Sequence, residues 1–321
     1  MDRPAERDPI AHLYDQFDEQ GLAEARGHKS PPLRFRASEA ADCARAIWYR
    51  LTGKRPKPRD GRMAMYGVCG DLDHDATRQL LTHYGAPVEG IDYRTDGSMV
   101  ENMYVRKEYE VPIPGREGFT TTIETVSRAD GEMDTPQGKR LVEIKGTGFY
   151  PYKWLNEAFL SGYQDLSGRM WPAGHDAALA RVKDKHPKWY AQMQVTMALS
   201  GYDDRGAYLI VKDRATGTLG LWNEDTGERT GIYVPFEPDM HQEILDKFAH
   251  VKRAVRSGDI PVQGYPRKSK TCEYCDFRWA CHGADERREK GLTPEHLYPG
   301  PQMEEYHDAP DKSEDDADSS D

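Results

Sequence analysis

Residues 131–148, GEMDTPQGKRLVEIKGTG, divide into two short extended runs on either side of a polar turn. Runs of this kind separated by turn residues predict a β-hairpin, here 131–135 paired with 140–146. Leu141 and Val142 open the second run, and Glu143 and Lys145 flank Ile144 within it. Side chains two apart in a strand point the same way, so this carboxylate and this ammonium share a face. Asp134 lies across the turn, within reach of them if the two runs pair. An isolated E-x-K is ordinarily a surface ion pair on a half-exposed strand. Any further role for it needs support from the rest of the chain.

Working outward, strand-like segments rich in Val, Tyr, Thr and Ile precede the hairpin at 101–112 and 119–129. Before them, 37–52 reads as a helix with Ser38 as its cap, and a basic loop, KRPKPRDG, leads to a second helix at about 62–84. After the hairpin, helices are expected at 153–163, 175–185 and 188–200, the last closed by Gly201. Residues 205–213 and 218–223 are expected to form a hairpin around Thr216-Gly217, 232–236 a further strand, and 238–257 a helix. This order predicts an α/β domain, a mixed sheet flanked by helices, over 31–290. Residues 1–30 are expected as a polar N-terminal segment, with a short helix over 8–26. Residues 291–321 are expected as an acidic, disordered tail.

The chain of 321 residues is 37% hydrophobic and 31% charged. No apolar run approaches the ~20 residues that span a bilayer, and the acidic N-terminus lacks the apolar centre of a signal peptide. A cytoplasmic protein without a membrane partner is expected. The net charge of −11 is unevenly spread. Residues 301–321 hold nine acids and one Lys (−8), whereas 34–62 hold nine Lys or Arg against three acids (+6). A basic segment is compatible with a polyanion ligand or with an ordinary solvated surface. Arg45, Arg50, Lys54 and Arg55 are the candidate contacts there.

Five cysteines, an odd number, argue against a disulfide framework. TCEYCDFRWACHG places Cys272, Cys275 and Cys281 together, and Cys43 on the first basic helix is the plausible fourth member. Thiolates suit zinc or an iron–sulfur cluster. Structural zinc sites usually join two short-spaced pairs, so a lone distant fourth ligand favours the cluster; inert core thiols are the alternative. Cys69 falls outside the pattern and is expected to be buried in its helix.

Hard divalent cations take oxygen ligands, with imidazole tolerated for Mn²⁺. Such a cation can polarise a scissile phosphate and acidify the attacking water. Asp134 and Glu143 offer two carboxylates on adjacent strands, and Lys145 can orient the water and offset charge on the phosphate. GDLDHDATRQLL supplies a third candidate ligand, His74, with Asp71, Asp73 and Asp75 competing. Tyr150 and Trp154, with Phe149 and Tyr152 beside them, are candidates for stacking on unpaired bases, or for packing.

The ordered set of these motifs resembles the PD-(D/E)XK nuclease superfamily. The likeness is to its RecB-like branch with an iron–sulfur staple: the CRISPR-associated Fe–S exonucleases and related exonucleases of phages. The set comprises Cys43, Gly70 to His74, Gly131 to Asp134, Glu143-Ile144-Lys145, Gln192 and the cysteine triplet. It spans about residues 36–283. The resemblance implies a restriction-endonuclease-like core in which His74, Asp134, Glu143 and the Ile144 carbonyl bind Mg²⁺ or Mn²⁺. It further implies that Asp134, Glu143, Lys145 and Gln192 are catalytic, with Gln194 an alternative to Gln192. The usual tyrosine four residues after the glutamine is absent: Thr196 follows Gln192 and Ala198 follows Gln194. A [4Fe–4S] cluster on Cys43, Cys272, Cys275 and Cys281 would join the two ends of the domain. The implied activity is a DNA exonuclease, 5′→3′, on single strands or duplex ends. It would serve recombination or replication, act with proteins of those processes, and lie in the host cytoplasm if phage-encoded. A non-catalytic Fe–S or zinc-stapled DNA-binding module is the alternative.

Overall fold

The computed structural model describes residues 33–281, apart from 55, 58–60, 84–90, 94–98, 102, 114–116, 267 and 279, together with Gln16 and Glu19. Of the helix expected over 8–26 only Gln16 and Glu19 are described, both helical, and the acidic tail and Arg55 lie outside the described residues. In chain order come β1 (Arg34–Arg36), a 3₁₀ turn (Ala37–Glu39), α1 (Ala44–Leu51) and α2 (Gly61–His83). The strands β2 (Ile91–Tyr93), β3 (Met99–Glu101), β4 (Met103–Pro112), β5 (Thr120–Ala129), β6 (Gly131–Thr135) and β7 (Gly138–Thr147) follow. Next are α3 (Phe149–Ser161), β8 (Tyr163–Gln164), β9 (Met170–Trp171), α4 (His175–Lys185), α5 (Pro187–Ser200) and β10 (Ala207–Asp213). The last are β11 (Leu221–Trp222), β12 (Arg229–Thr230), β13 (Ile232–Val234), α6 (Pro238–Ser257) and α7 (Lys270–Glu273).

Two sheets carry the fold. In one, β5 lies between β1, which runs parallel to it, and β4, which runs antiparallel. In the other the order is β13-β10-β7-β6, with β7 and β10 parallel and both outer pairs antiparallel. The expectation of a mixed α/β architecture is met. Strand alternation sorts the apolar side chains of β7 and β10 between the two faces of the sheet. Leu141, Leu209 and Val211 pack under α3, α4 and α5 against Leu155, Val182, Tyr190 and Met193. Val142, Ile144 and Ile210 pack on the other side with Leu81 of α2. A further core joins β1 and β5 to α1 and α6, with Phe35 stacked on Phe248 at 4.6 Å. Each such fully buried side chain stabilises the fold by roughly 1.5–3 kcal/mol.

α5 is anchored at both ends as its sequence requires. Pro187 stands in the first turn, where a missing N–H costs nothing, and Gly201 takes the left-handed conformation (φ 73°) that ends it. Inside the molecule, Ser127 of β5 meets Thr196 of α5 through a buried hydroxyl pair at 2.7 Å.

Three expectations about elements are corrected. The first helix starts at Ala44 rather than 37, and Ser38 does not cap it. Instead Glu39 accepts from the Arg36 backbone N–H at 3.0 Å and pairs with Arg50, which holds 37–39 as a tight turn. The helix expected from 153 starts at Phe149, directly after β7. The hairpin around Thr216-Gly217 shrinks to one bridge, Lys212 to Leu219. Gly220, at φ 69°, turns the chain away so that β11 pairs with β12.

Candidate active site

The hairpin forms with a two-residue turn, Thr135 opposite Gly138, and this register places Asp134 opposite Lys139 and Gly131 opposite Val142. Asp134 therefore lies four residues below Glu143 along β7, about 14 Å at the rise of a strand. It is exposed near the turn and does not join Glu143. The expectation for Asp134 is corrected on this ground. The acid close enough to act electrostatically on Glu143 is Asp130, the residue between β5 and β6, which no sequence motif had singled out.

Asp130 is held from three directions. Its Oδ2 accepts from the Ile144 N–H at 2.7 Å. Its Oδ1 lies 3.2 Å from His74 Nδ1 and 3.4 Å from Arg78 Nη2. His74 and Arg78 are four apart on α2 and so project from the same side of the helix. Arg78 also donates from Nε to the Asp130 carbonyl at 3.0 Å.

Glu143 and Lys145 point to the opposite side of the sheet from Ile144, toward α5, and they do share a face. Lys145 Nζ lies 2.5 Å from Glu143 Oε1. Gln192 Nε2 donates to the same oxygen at 2.8 Å, while Lys145 Nζ reaches Gln192 Oε1 at 3.5 Å. Gln194, two positions on and thus turned roughly 200° around the helix, faces elsewhere. It donates to the Pro235 carbonyl and accepts from the Glu237 N–H. Of the two glutamines, Gln192 is the one the fold brings to Glu143 and Lys145.

Burial and charge act against each other at these groups. Burial pushes the Glu143 carboxyl above the ordinary carboxylate range, and neighbouring Lys145 offsets this only in part. Burial alone would lower Lys145, but Glu143 and Asp130 outweigh it and hold the ammonium above its usual value. Asp130 is raised by burial, but His74, Lys145 and the Ile144 N–H together lower it more, so it stays ionised further into acid than usual. The bond to Asp130 likewise raises His74, against its burial.

The acids that competed with His74 are otherwise engaged. Asp73 pairs with Lys212 at 2.5 Å and Arg214 at 3.2 Å. Asp75 is half-exposed and accepts from Arg78 at 3.3 Å. The Asp71 side chain lies outside the described residues.

Among the described residues, no group of three or more His, Cys, Asp or Glu side chains is gathered closely enough to hold a metal ion as they stand. The donor chemistry at Glu143 still fits a hard cation. Glu143 Oε2 is a buried carboxylate oxygen with no hydrogen-bond partner, and a second carboxylate and an imidazole lie nearby. For Ile144, proposed as a carbonyl ligand, the observed contact is its N–H to Asp130.

Cys43, Cys272, Cys275 and Cys281 all line one cavity of about 720 Å³. Cys43 Sγ accepts from the Gly264 N–H at 3.3 Å, and Cys281 Sγ from Arg45 Nη1 at 3.6 Å. As they stand the four sulfurs are not gathered closely enough to hold a metal centre, and Cys272 Sγ donates to the Tyr265 carbonyl at 3.7 Å. Thiols around one cavity are nonetheless the donor type that a cluster takes. Cys69 is exposed rather than buried, because its side of α2 is turned to solvent.

Two of the candidate basic contacts, Arg45 and Arg50, serve the fold. Arg50 is buried, donating to Glu39 at 2.8 Å and to the Arg34 carbonyl at 2.7 Å. Arg45 donates from Nε to the Pro261 carbonyl at 2.8 Å beside the cysteines. Arg50 is thereby withdrawn from a ligand, which corrects the expectation for that residue; Arg45 is half-buried and Lys54 exposed. On α3, Tyr150 and Trp154 are 65% and 46% exposed with ring centroids 6.2 Å apart. Tyr152 is buried and donates to the Gly220 carbonyl.

No family model matches the chain, and no curated protein matches it either. Among solved structures it is similar to the crystal structure of SSO0001, at 13% identity and TM-score 0.44, over 86% of this chain and 98% of that one. It is also similar to an alkaline exonuclease (LHK-Exo) from Laribacter hongkongensis, at 13% identity and TM-score 0.35, over 76% and 93% of the two chains. The same exonuclease in complex with dAMP gives TM-score 0.36 at 13% identity, over 75% and 93%. All three scores lie below 0.5, and the functional reading therefore rests on the geometry of the site itself.

Proposed function

We propose that this chain is a metal-dependent DNA exonuclease of the PD-(D/E)XK type. One observation carries the reading: Glu143, Lys145 and Gln192 meet on β7 and α5, with Asp130 and His74 beside them and Glu143 Oε2 buried and unpartnered. A purely structural ion pair has no need of a desolvated oxygen left bare, which costs about 1–3 kcal/mol.

Asp130, Glu143 and His74, with Ile144 as the further ligand implied by the resemblance, would hold Mg²⁺ or Mn²⁺. Bound there, the cation supplies Lewis acidity toward the scissile phosphate and its attacking water. The Ile144 N–H fixes the Asp130 carboxylate in place. Lys145, kept protonated by Glu143 and Asp130, acts as a donor that orients water and offsets charge on the phosphate. Gln192 holds both Glu143 and Lys145 in register. Tyr150 and Trp154 offer stacking faces for unpaired bases. The four cysteines would hold a [4Fe–4S] cluster, which would tie the start of the first helix to the C-terminal segment. The 5′→3′ polarity and the preference for single strands or duplex ends belong to this reading through the family resemblance.

The test is digestion of 5′- and 3′-labelled single- and double-stranded oligonucleotides with Mg²⁺ or Mn²⁺, using protein purified without oxygen. Metal-dependent shortening from an end, lost in Glu143→Gln, is expected. Equal cleavage by wild type and Glu143→Gln, or no cleavage with either metal, refutes the proposal.

A further inference from the structure

Asp73 precedes His74 on α2, and its carboxylate is taken by two cations from the far end of β10. Lys212 Nζ lies 2.5 Å from Oδ1 and Arg214 Nε 3.2 Å from Oδ2. The Asp73 side chain is 13% exposed and that of Lys212 11%, so the pair is largely withdrawn from water. Coulomb attraction is stronger at such a site than on the surface, and separation leaves buried charge unpaired.

The backbone leaves room for this clamp at one position. Gly146 follows Lys145 on β7 and sits level with Lys212 in the parallel pairing. A methyl group at Gly146 would stand 2.0 Å from Asp73 Oδ2 and 2.7 Å from Arg214 Nε. Its φ is not of the left-handed kind, so the requirement there is space rather than conformation. Gly70, one turn before His74, faces the same guanidinium; a methyl there would lie 3.6 Å from Arg214 Nη2. Both glycines thus border the place where helix and strand meet through Asp73.

We infer that Asp73, clamped by Lys212 and Arg214 over Gly146, is a positioning residue that sets α2 on the sheet so that His74 meets Asp130. This inference rests on the nuclease reading. Neighbouring residues on a helix are separated by roughly 100° of turn and about 1.5 Å of rise. A side chain pinned at Asp73 therefore restrains both the rotation and the height of His74, which must reach Asp130 at 3.2 Å. Groups that support ligands in this way change metal affinity by about 10–100-fold when removed.

The experiment is a double-mutant cycle on Mn²⁺ affinity, read by electron paramagnetic resonance of free Mn²⁺, with circular dichroism confirming that each variant is folded. Asp73→Asn should weaken binding about tenfold, as should His74→Ala. The double variant should bind no more weakly than His74→Ala alone, because Asp73 acts through that imidazole. Gly146→Ala leaves every charge in place but displaces the Asp73 carboxylate, and it should reproduce Asp73→Asn, which covers a failure of Asp73→Asn to fold. Equal Mn²⁺ affinity in Asp73→Asn and wild type overturns the inference alone. So do losses that simply add in the double variant. A wild type that binds no Mn²⁺ overturns the nuclease reading and the positioning role together.

Discussion

Replacing Asp130 with Asn separates the two acids of the hairpin. Asp130 accepts from the Ile144 N–H, from His74 and from Arg78 at 2.7, 3.2 and 3.4 Å. An amide of the same shape keeps one oxygen but turns an NH₂ toward one of these donors. Hydrogen bonds to charged groups contribute about 1.5–3 kcal/mol and neutral ones about 0.5–1.5, so two weakened bonds and one unmet donor cost about 3 kcal/mol. Asp134 is exposed near the turn, and Asp134→Asn should change stability by no more than about 0.5 kcal/mol. Urea unfolding of the two variants measures this directly. The difference depends on pH with a definite sign. Asp130 is lowered from its ordinary 3.8, so its stabilisation is present above pH 3.8 and is lost as pH falls through the lower folded value. His74 is raised from its ordinary 6.5, so its share is present below pH 6.5 and is lost as pH rises through the higher folded value. The cost of Asp130→Asn should therefore be greatest between about pH 4 and 6.5. In cleavage assays Asp130→Asn should lose activity while Asp134→Asn keeps it. Retained activity in the first and loss in the second would refute the assignment made from the register.

The same contacts carry further consequences. Gln192→Leu should lower cleavage by removing the donor to Glu143, whereas Gln194→Leu should mainly lower the melting temperature, since its partners are the Pro235 carbonyl and the Glu237 N–H. Cys43→Ser should lose iron, the broad visible absorbance of a cluster and thermal stability together, because it opens the link between distant segments; unchanged iron content and melting would refute the staple. Tyr150→Ala and Trp154→Ala should each weaken binding of a single-stranded oligonucleotide by about 1–3 kcal/mol, with a smaller effect on a blunt duplex, measured by fluorescence anisotropy in the Glu143→Gln background. Equal losses on both would assign these rings to general packing.

Much of the fold and site was legible in the chain because alternation in strands and spacing in helices are local properties. Two-residue periodicity put Glu143 and Lys145 on one face, and Gly201 ended α5 where the turn chemistry required. The Asp134 expectation failed for a reason local pattern cannot resolve. Asp130 and Asp134 flank the same short run, D-G-E-M-D, and only the length of the turn, which sets Asp134 level with Lys139, determines that it lies far from Glu143. Arg50 was misjudged similarly: a basic run reads as surface until Glu39 is seen to fold back onto it. The choice between Gln192 and Gln194 needed the rotation of α5 about its axis, which packing on all sides conceals from hydropathy. Asp73 was legible only as a rival ligand to His74, not as an ion-pair partner. Its partners Lys212 and Arg214 stand about 140 positions away, and only the parallel pairing of β7 with β10 brings them together.

The most direct test is a crystal of the chain soaked with Mn²⁺ and measured at the manganese absorption edge. An anomalous peak within coordination distance of Glu143 Oε2 and an oxygen of Asp130, with His74 beside it, is predicted. A peak at Asp134, or none at Glu143 in a protein that cleaves DNA with Mn²⁺, contradicts the assignment of these residues to the catalytic centre.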